Sequence, residues 1–515
     1  MRHLLVLIAL LALTHLPAQN YPTGEVFDAE VYNSLPLKAP VSTRSILPPR
    51  VDLSPYAPRA GDQGSLGTCA SWSSAYHFRT IIEAKQRGLT DQAAIDAIAY
   101  SPTWVNELLR DSTDLDCNGG VMTARSMLVF KEFGVPSYKS LPFQCYTGSA
   151  TERLRNLDPL VGEAARAKIR DFQILFLAKE GVDPQDKIRA IKKVLAEGYP
   201  VLVSHTLYQS FFPGKDVWQV VPGEETTPEK HGSHAMVIVG YDDTKYGGAF
   251  RYLNSWGPEW GDEGYIWVPY ATTGALCYGA YQAYPFEKVA PKPNPVPAPP
   301  APSPAPAPPT PAPAPSPKPT PAPTPVAAKT PSGSLEFILR DGSPMPVRRV
   351  STRGLFTDDD VAEERPAYRM AKSYPSGTRF RFYLNTANEG YVYAFASDLT
   401  GEVTKIFPYD DQVSPLVGAN STIAFPADTK VIRMDNQPGK DYLLVLYSQQ
   451  ALDAAEVLRR MQAAGGNLGE KVHSALGAAL IDPGQVRYEA GRVGFAAAAE
   501  AAGVVVPVLV EIGHD

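Results

Sequence analysis

Between Pro291 and Val326 the chain is built almost only from Pro, Ala, Ser, Thr and Lys. Proline fixes φ and lacks an amide donor, and the accompanying side chains carry too little apolar surface for a core, so this stretch reads as an extended polyproline spacer. At about 3.1 Å per residue it reaches on the order of 100 Å. It divides the 515 residues into two units expected to fold independently. The prolines are concentrated here, and the flanking sequence has ordinary globular composition.

The formal net charge is −6 with 20% charged residues, which lacks the basic excess of a nucleic-acid binder. The first residues, MRHLLVLIALLALTHLPAQN, combine a basic start at Arg2, an apolar run from Leu4 to Leu13 and a small residue at Ala18. That is the pattern of an export signal cleaved after about residue 18, and the run is short beside the roughly 20 apolar residues of a membrane span. A secreted, periplasmic or envelope location is the expectation. There the four cysteines, Cys69, Cys117, Cys145 and Cys277, can form disulfides; if one is a free nucleophile, the remaining three cannot all pair internally.

From Val51 to about Glu287, helical patterns precede strands. Trp72, Ala75, Tyr76, Phe78, Ile81 and Ile82 recur at helical spacing over Ala70 to Gln86, with Gly88 as a stop. A second helix is predicted from Pro184 to Glu197. Strands are predicted at Tyr199 to His205, Ala235 to Gly240 and Phe250 to Asn254. Helices first and strands later favour an α+β fold. After Ser332, alternation returns at Phe380, Phe382 and Leu384, at Tyr391, Tyr393 and Phe395, and in Tyr442 to Tyr447. This predicts a β-rich domain, with a helix from Gln450 to Ala463 and a strand from Val504 to Ile512. The divisions are 1–18 signal, 19–50 short extension, 51–287 first domain, 288–332 linker and 333–515 second domain.

The chemistry lies in three segments. In Asp62-Gln-Gly-Ser-Leu-Gly-Thr-Cys-Ala-Ser-Trp72 the cysteine opens a helix, where the macrodipole and free amides favour thiolate. Gln63 sits across a Gly-containing loop from Cys69, so its amide and the Cys69 amide can hold an oxyanion. In His231-Gly-Ser-His-Ala-Met-Val-Ile-Val-Gly-Tyr241, His234 stands where a polar loop enters an apolar strand, which suits a rigidly held base; His231 is the rival. Asn254, in Asn254-Ser-Trp-Gly, can fix the imidazole tautomer, with Trp256 shielding that bond. His205 reads as an ordinary strand residue, and a zinc site from Cys69, His231 and His234 lacks ligand pairs at the usual spacing.

These segments, in this order, resemble papain-like cysteine peptidases over roughly Val51 to Tyr284, and Asp116-Cys-Asn-Gly-Gly120 resembles that family's cleft-lining turn. The resemblance implies a two-lobed fold, helical then β-rich, with Cys69, His234, Asn254 and Gln63 catalytic and Gly119, Gly120, Ser233 and Trp256 along the substrate cleft. It implies peptide hydrolysis through a thioester, with peptide or protein substrates, no cofactor and no metal. Val51-Asp-Leu53 and Ser101-Pro-Thr-Trp104 resemble bacterial branches. Leu66 stands where many relatives carry the disulfide partner of the Cys-Asn-Gly-Gly cysteine, so Cys117 is expected to bond Cys145, with Cys277 competing. The short stretch before Val51 counts against the inhibitory propeptide common in that family.

The second domain resembles an uncharacterised bacterial family appended to peptidases and kinases, through Gly390-Tyr-Val-Tyr393 and Phe407-Pro408. Envelope or substrate anchoring is its expected role, and a monomer is expected. The reading from another class is a catalytically silent, papain-fold adhesin or envelope-binding protein, which the intact Gln63, Cys69, His234 and Asn254 oppose.

Overall fold

The computed structural model describes residues 21–40, 42–226, 232–286, 330–350, 367–398, 400–427 and 430–515. The expected signal, the Pro-rich linker and His231 lie outside the described residues.

Helices and strands of the first domain separate along the chain as the sequence predicts. A continuous helical run begins at Cys69–Ser71, widens to π-helical hydrogen bonding over Trp72–Arg79 and returns to α over Thr80–Arg87. Gly88 ends it at φ 67°, a left-handed position that glycine takes without Cβ strain. Helices Pro102–Leu109 and Thr123–Glu132 pack against this run. The following sheet is antiparallel, in the order Ile169–Ile174, Cys277–Pro285, Val201–Leu207, Gly232–Asp242, Ala249–Leu253 and Tyr265–Pro269, and Arg50–Asp52 also pairs with Gly232–Asp242.

Ala235 to Val239 of the strand carrying His234 are apolar because both of its faces are covered there. Val237 and Val239 enter the core shared with Phe78, Ile81 and Trp104 of the helical lobe. Met236 and Ile238 enter the opposite core, against helix Pro184–Ala196. That helix is set by Asp183, which caps Gln185 N, and by Ile188, Ile191, Val194 and Leu195 on its buried face.

The second domain is a β-sandwich with its own core. One sheet runs Ser421–Phe425, Arg379–Thr386, Ser332–Leu339, Val493–Ala497 and Val486–Tyr488; the other centres on Gly439–Ser448 between Val505–His514 and Gly390–Ser397. Phe380, Phe382 and Leu384 point between the sheets as their alternation predicts. Along Gly390–Ser397, Val392 and Ala394 join that core, whereas Tyr391, Tyr393 and Phe395 face outward under helices Ala454–Ala463 and Leu468–Leu476. Together the domains give an α+β chain with a papain-like two-lobed half and a separate β-rich half.

The two halves do not stand apart as the spacer suggested. Arg170 and Tyr199 both meet Glu389, Gln173 Nε2 donates to Leu416 O at 2.8 Å, and Lys193 Nζ to Asn420 O at 2.6 Å. Tyr284 of the first domain packs in one apolar cluster with Tyr391 and Tyr393 of the second. The extension before Val51 is clamped at this seam: Lys38 N donates to Ile174 O, Leu37 N to Gln412 O, and Ser414 N to Leu37 O, at 2.8 to 2.9 Å. Lys38 is buried there, bonded to Glu197, Gln282 and Tyr284. A spacer limits how far apart two domains can be, not whether their surfaces fit. The complementary residues are scattered along both domains, so no sequence pattern reveals them.

Candidate active site

Cys69 opens its helical run as predicted, with its side chain in a small apolar cluster with Ala70, Val121 and Ala235. Pairing of Val201–Leu207 with Gly232–Asp242 holds His234 in the sheet, directly before Ala235, the residue that packs with Cys69. His234 Nε2 donates to Asn254 Oδ1 at 2.8 Å. Its Nδ1 is buried without a hydrogen-bond partner, which leaves it open to accept a proton. Trp256 lies over the imidazole with ring centroids 4.8 Å apart and covers the His–Asn bond.

Gln63 is oriented by a residue that sequence reasoning passed over. Ser255 Oγ donates to Gln63 Oε1 at 2.7 Å, and Ser255 N to Asn254 Oδ1 at 2.8 Å, so one serine ties the Gln63 and Asn254 amides together. The amide of Gln63 then donates to Leu66 O and, at 3.1 Å, to Pro22 O. The same Pro22 carbonyl receives Trp256 Nε1 at 3.1 Å. A main-chain carbonyl of the chain itself thus occupies the place where charge on a substrate carbonyl would be met.

That carbonyl belongs to a segment that crosses the whole cleft. Tyr21 stacks on Trp256 at 4.6 Å, Val121 N donates to Gly24 O at 3.1 Å, and Glu25–Val26 pairs in parallel with Val121–Met122. The approach is close enough to demand glycines. A Cβ on Gly24 would meet Gly67 O at 1.9 Å, and one on Gly120 would meet Gly24 O at 2.3 Å. Short though it is, the extension reaches from Trp256 past Cys69 to Val121 through residues 21–26. Its only sequence signal is an unremarkable Tyr-Pro-Thr-Gly-Glu-Val.

Covering changes the electrostatics. Cys69 and His234 are both 0% exposed. Burial pushes the Cys69 thiol up to about 12, opposed by main-chain contacts around Ala235, Gly24 and Ala70, while the nearby Glu25 charge raises it further. Burial also draws the His234 imidazole down to about 4, against the Asn254 bond that raises it. Burial of both groups thus favours the neutral thiol and imidazole and opposes the thiolate that a helix N-terminus alone would favour.

Of the cleft residues, Gly120 and Trp256 touch the segment, and Ser233 contacts Tyr278 OH beside it. Gly119 faces Asp114 and serves the turn. His205 is a strand residue, with Nδ1 against Thr206 O and its ring between Trp218 and Tyr252. Cys117 is bonded to Cys145, and Cys277 is a buried free thiol.

Residues 47–284 match the papain family of cysteine proteases, and residues 373–451 match a domain family of unknown function, DUF4384. A cathepsin B-like protein, CP3, of Giardia intestinalis is 29% identical over 211 residues, 41% of this chain and 63% of the relative. Cathepsin K of Mus musculus is 26% identical over 212 residues, 41% of this chain and 55% of the relative. The chain thus spans less than two thirds of the length of either. Xylellain, a cysteine protease from Xylella fastidiosa, aligns in structure with 20% identity and a TM-score of 0.41, covering 52% of this chain and 97% of that one. Over residues 47–284 this chain is thus similar to papain-family cysteine proteases, and over 373–451 to DUF4384 domains.

Proposed function

We propose that the chain is an exported bacterial cysteine peptidase, held latent by its own N-terminal segment and released when that segment leaves the cleft. The observation that carries this reading is the His234–Asn254 pair with a bare Nδ1, next in the chain to Ala235, which packs against Cys69, with the N-terminal segment lying on Trp256 and Val121. Once uncovered, Cys69 gives its proton to His234 Nδ1, and the thiolate attacks the peptide carbonyl. Gln63 Nε2 and the Cys69 amide hold the oxyanion. The C–N bond breaks as His234 returns the proton to the leaving amine. Water then attacks the thioester, with His234 taking its proton, and the acid and the thiol are released.

Export rests on the apolar run Leu4 to Leu13, and bacterial affinity on the Val51-Asp-Leu53 and Ser101-Pro-Thr-Trp104 segments. The DUF4384 domain anchors the enzyme or its substrate and, through the seam on Leu37, helps to hold the segment in place. The silent adhesin is disfavoured by Ser255, whose bonds to both catalytic amides have no purpose in a binding protein. The test is labelling of the purified full chain by an epoxide directed at active-site thiols, alongside digestion of casein. Cys69→Ala is expected to abolish both. Undiminished digestion by Cys69→Ala overturns the assignment.

A further inference from the structure

Beside Cys69 the Glu25 side chain enters a pocket that no step of hydrolysis uses. Ser204 Oγ donates to Glu25 Oε1, and Tyr278 OH donates to Oε2 at 3.3 Å. Two more hydroxyls face the same carboxyl. Thr123 Oγ1 and Tyr281 OH are buried; Thr123 acts on the Glu25 carboxyl, and Tyr281, beside Ser204, feels its charge. The other titratable groups near it are the Cys69 and Cys277 thiols, and no cation figures among the causes that shift it. Glu25 itself is only 8% exposed. The pocket is thus a ring of hydroxyls from three elements, the start of helix Thr123–Glu132 and strands Val201–Leu207 and Cys277–Pro285.

Its place along the cleft follows from the segment. Pro22 sits at Trp256 and Gln63, Gly24 next to Cys69, and Glu25 beyond, opposite Val121. His234, which must protonate the leaving amine, packs against Trp256, so the leaving side of a substrate lies toward Trp256 and the acyl side toward Val121. The pocket therefore receives the side chain next to the residue whose carbonyl is attacked, on its N-terminal side.

We propose that Ser204, Tyr278, Thr123 and Tyr281 form the pocket that selects substrates, and that it takes a glutamine or a protonated glutamate side chain at this position. Hydroxyls both donate and accept, so they satisfy an amide or a carboxylic acid fully. A leucine or phenylalanine there leaves buried hydroxyls unpaired, and an arginine brings a charge without a counter-ion. With no cation present, a glutamate has to enter as the acid. Burial raises the Glu25 carboxyl to about 7, with the Ser204, Thr123 and Tyr278 bonds opposing.

The inference rests on the peptidase reading, and two arms separate their failures. In the first, full chain calibrated by epoxide titration is given peptide amides with Gln, Glu, Leu, Phe or Arg at the position before the attacked residue. Gln is expected to exceed Leu, Phe and Arg by about tenfold, the cost of unpaired buried polar groups. Glu is expected to match Gln only below its free value of 4.5, and to fall progressively behind as pH rises from there to about 7. Ser204→Ala with Tyr278→Phe should erase the Gln over Leu preference. The second arm needs no turnover, because it reads alkylation of Cys69 in Glu25→Gln, Glu25→Leu and Glu25→Arg. Glu25→Gln should stay within about threefold of the parent at pH 5, and the other two should react about tenfold faster. Preference for Leu, Phe or Arg, or equal protection by Glu25→Leu, overturns the pocket assignment. Labelling without cleavage of any peptide overturns the peptidase reading and leaves the second arm to judge the pocket.

Discussion

At the residue scale, the site depends on which hydrogen bonds hold each group in place. Ser255 fixes Gln63 through its Oε1, which turns the NH2 toward Pro22 O and Leu66 O. Gln63→Ala is expected to lower kcat by about a hundredfold with little change in KM, since the lost donor acts on charge that develops in the transition state. Ser255→Ala should fall the same way by a smaller factor; steady-state kinetics of both variants checks this, and an effect confined to KM removes Gln63 from the oxyanion. Glu25 gives a second prediction. Its carboxyl sits at about 7 when seated, against an ordinary value of 4.5 when the segment is free. Seating is therefore strongest below the free value and weakens as pH rises through the seated one. The rate of Cys69 alkylation, taken relative to Glu25→Gln, should rise between pH 5 and pH 8 by on the order of tenfold or more. A ratio independent of pH counts against a buried, protonated Glu25. Cys69, His234, Asn254 and Gln63 stood out as candidates in the sequence because each sits in a short motif, and the structure links His234 to Asn254 directly and Gln63 to Asn254 through Ser255. Ser255, Ser204 and Tyr278 did not, because a serine or tyrosine on a strand carries no mark of what it faces.

At the element scale, the segment Tyr21 to Val26 is held by main-chain bonds and by two glycines that let backbones touch. Gly24→Ala puts a methyl group 1.9 Å from Gly67 O, a clash with backbone that no rotamer relieves. The segment must lift, and Cys69 alkylation and peptide cleavage are expected to rise about tenfold or more, while the fold stays unchanged by circular dichroism. Unchanged or lower reactivity would falsify the account of this segment as the cover. The helices and strands themselves were legible to within a few residues, as with Pro184–Ala196 and Ala249–Leu253, since hydrophobic period and capping residues are local. The π-helical turn over Trp72–Arg79 was not, because its sequence satisfies an ordinary helical period equally well.

At the scale of the whole molecule, the two domains share a seam through which the N-terminal extension is threaded. Leu37 is bonded on one side to the second domain and its neighbours Pro36 and Lys38 on the other to Ile174, so the second domain completes the clamp. A chain ending at Phe286 loses that side, exposes Tyr284 and Tyr199, and leaves Glu197 without Ser421. Its melting temperature is expected to drop and its Cys69 to react several-fold faster, by roughly the loss of two or three net hydrogen bonds. Equal melting and equal alkylation in the two chains would show that the halves are uncoupled, as the spacer alone suggests. The sequence by itself determined the class of fold and pointed to Cys69, His234 and Asn254 as the candidate nucleophile, base and orienting residue. Each of these is written in composition, in periodicity or in motifs a few residues long. Only the tertiary structure decided that the extension fills the cleft, that four hydroxyls from three elements converge on Glu25, and that the halves meet over Glu197 and Glu389. Those contacts join residues tens to hundreds of positions apart, and their energies come from surface complementarity, which no local pattern records.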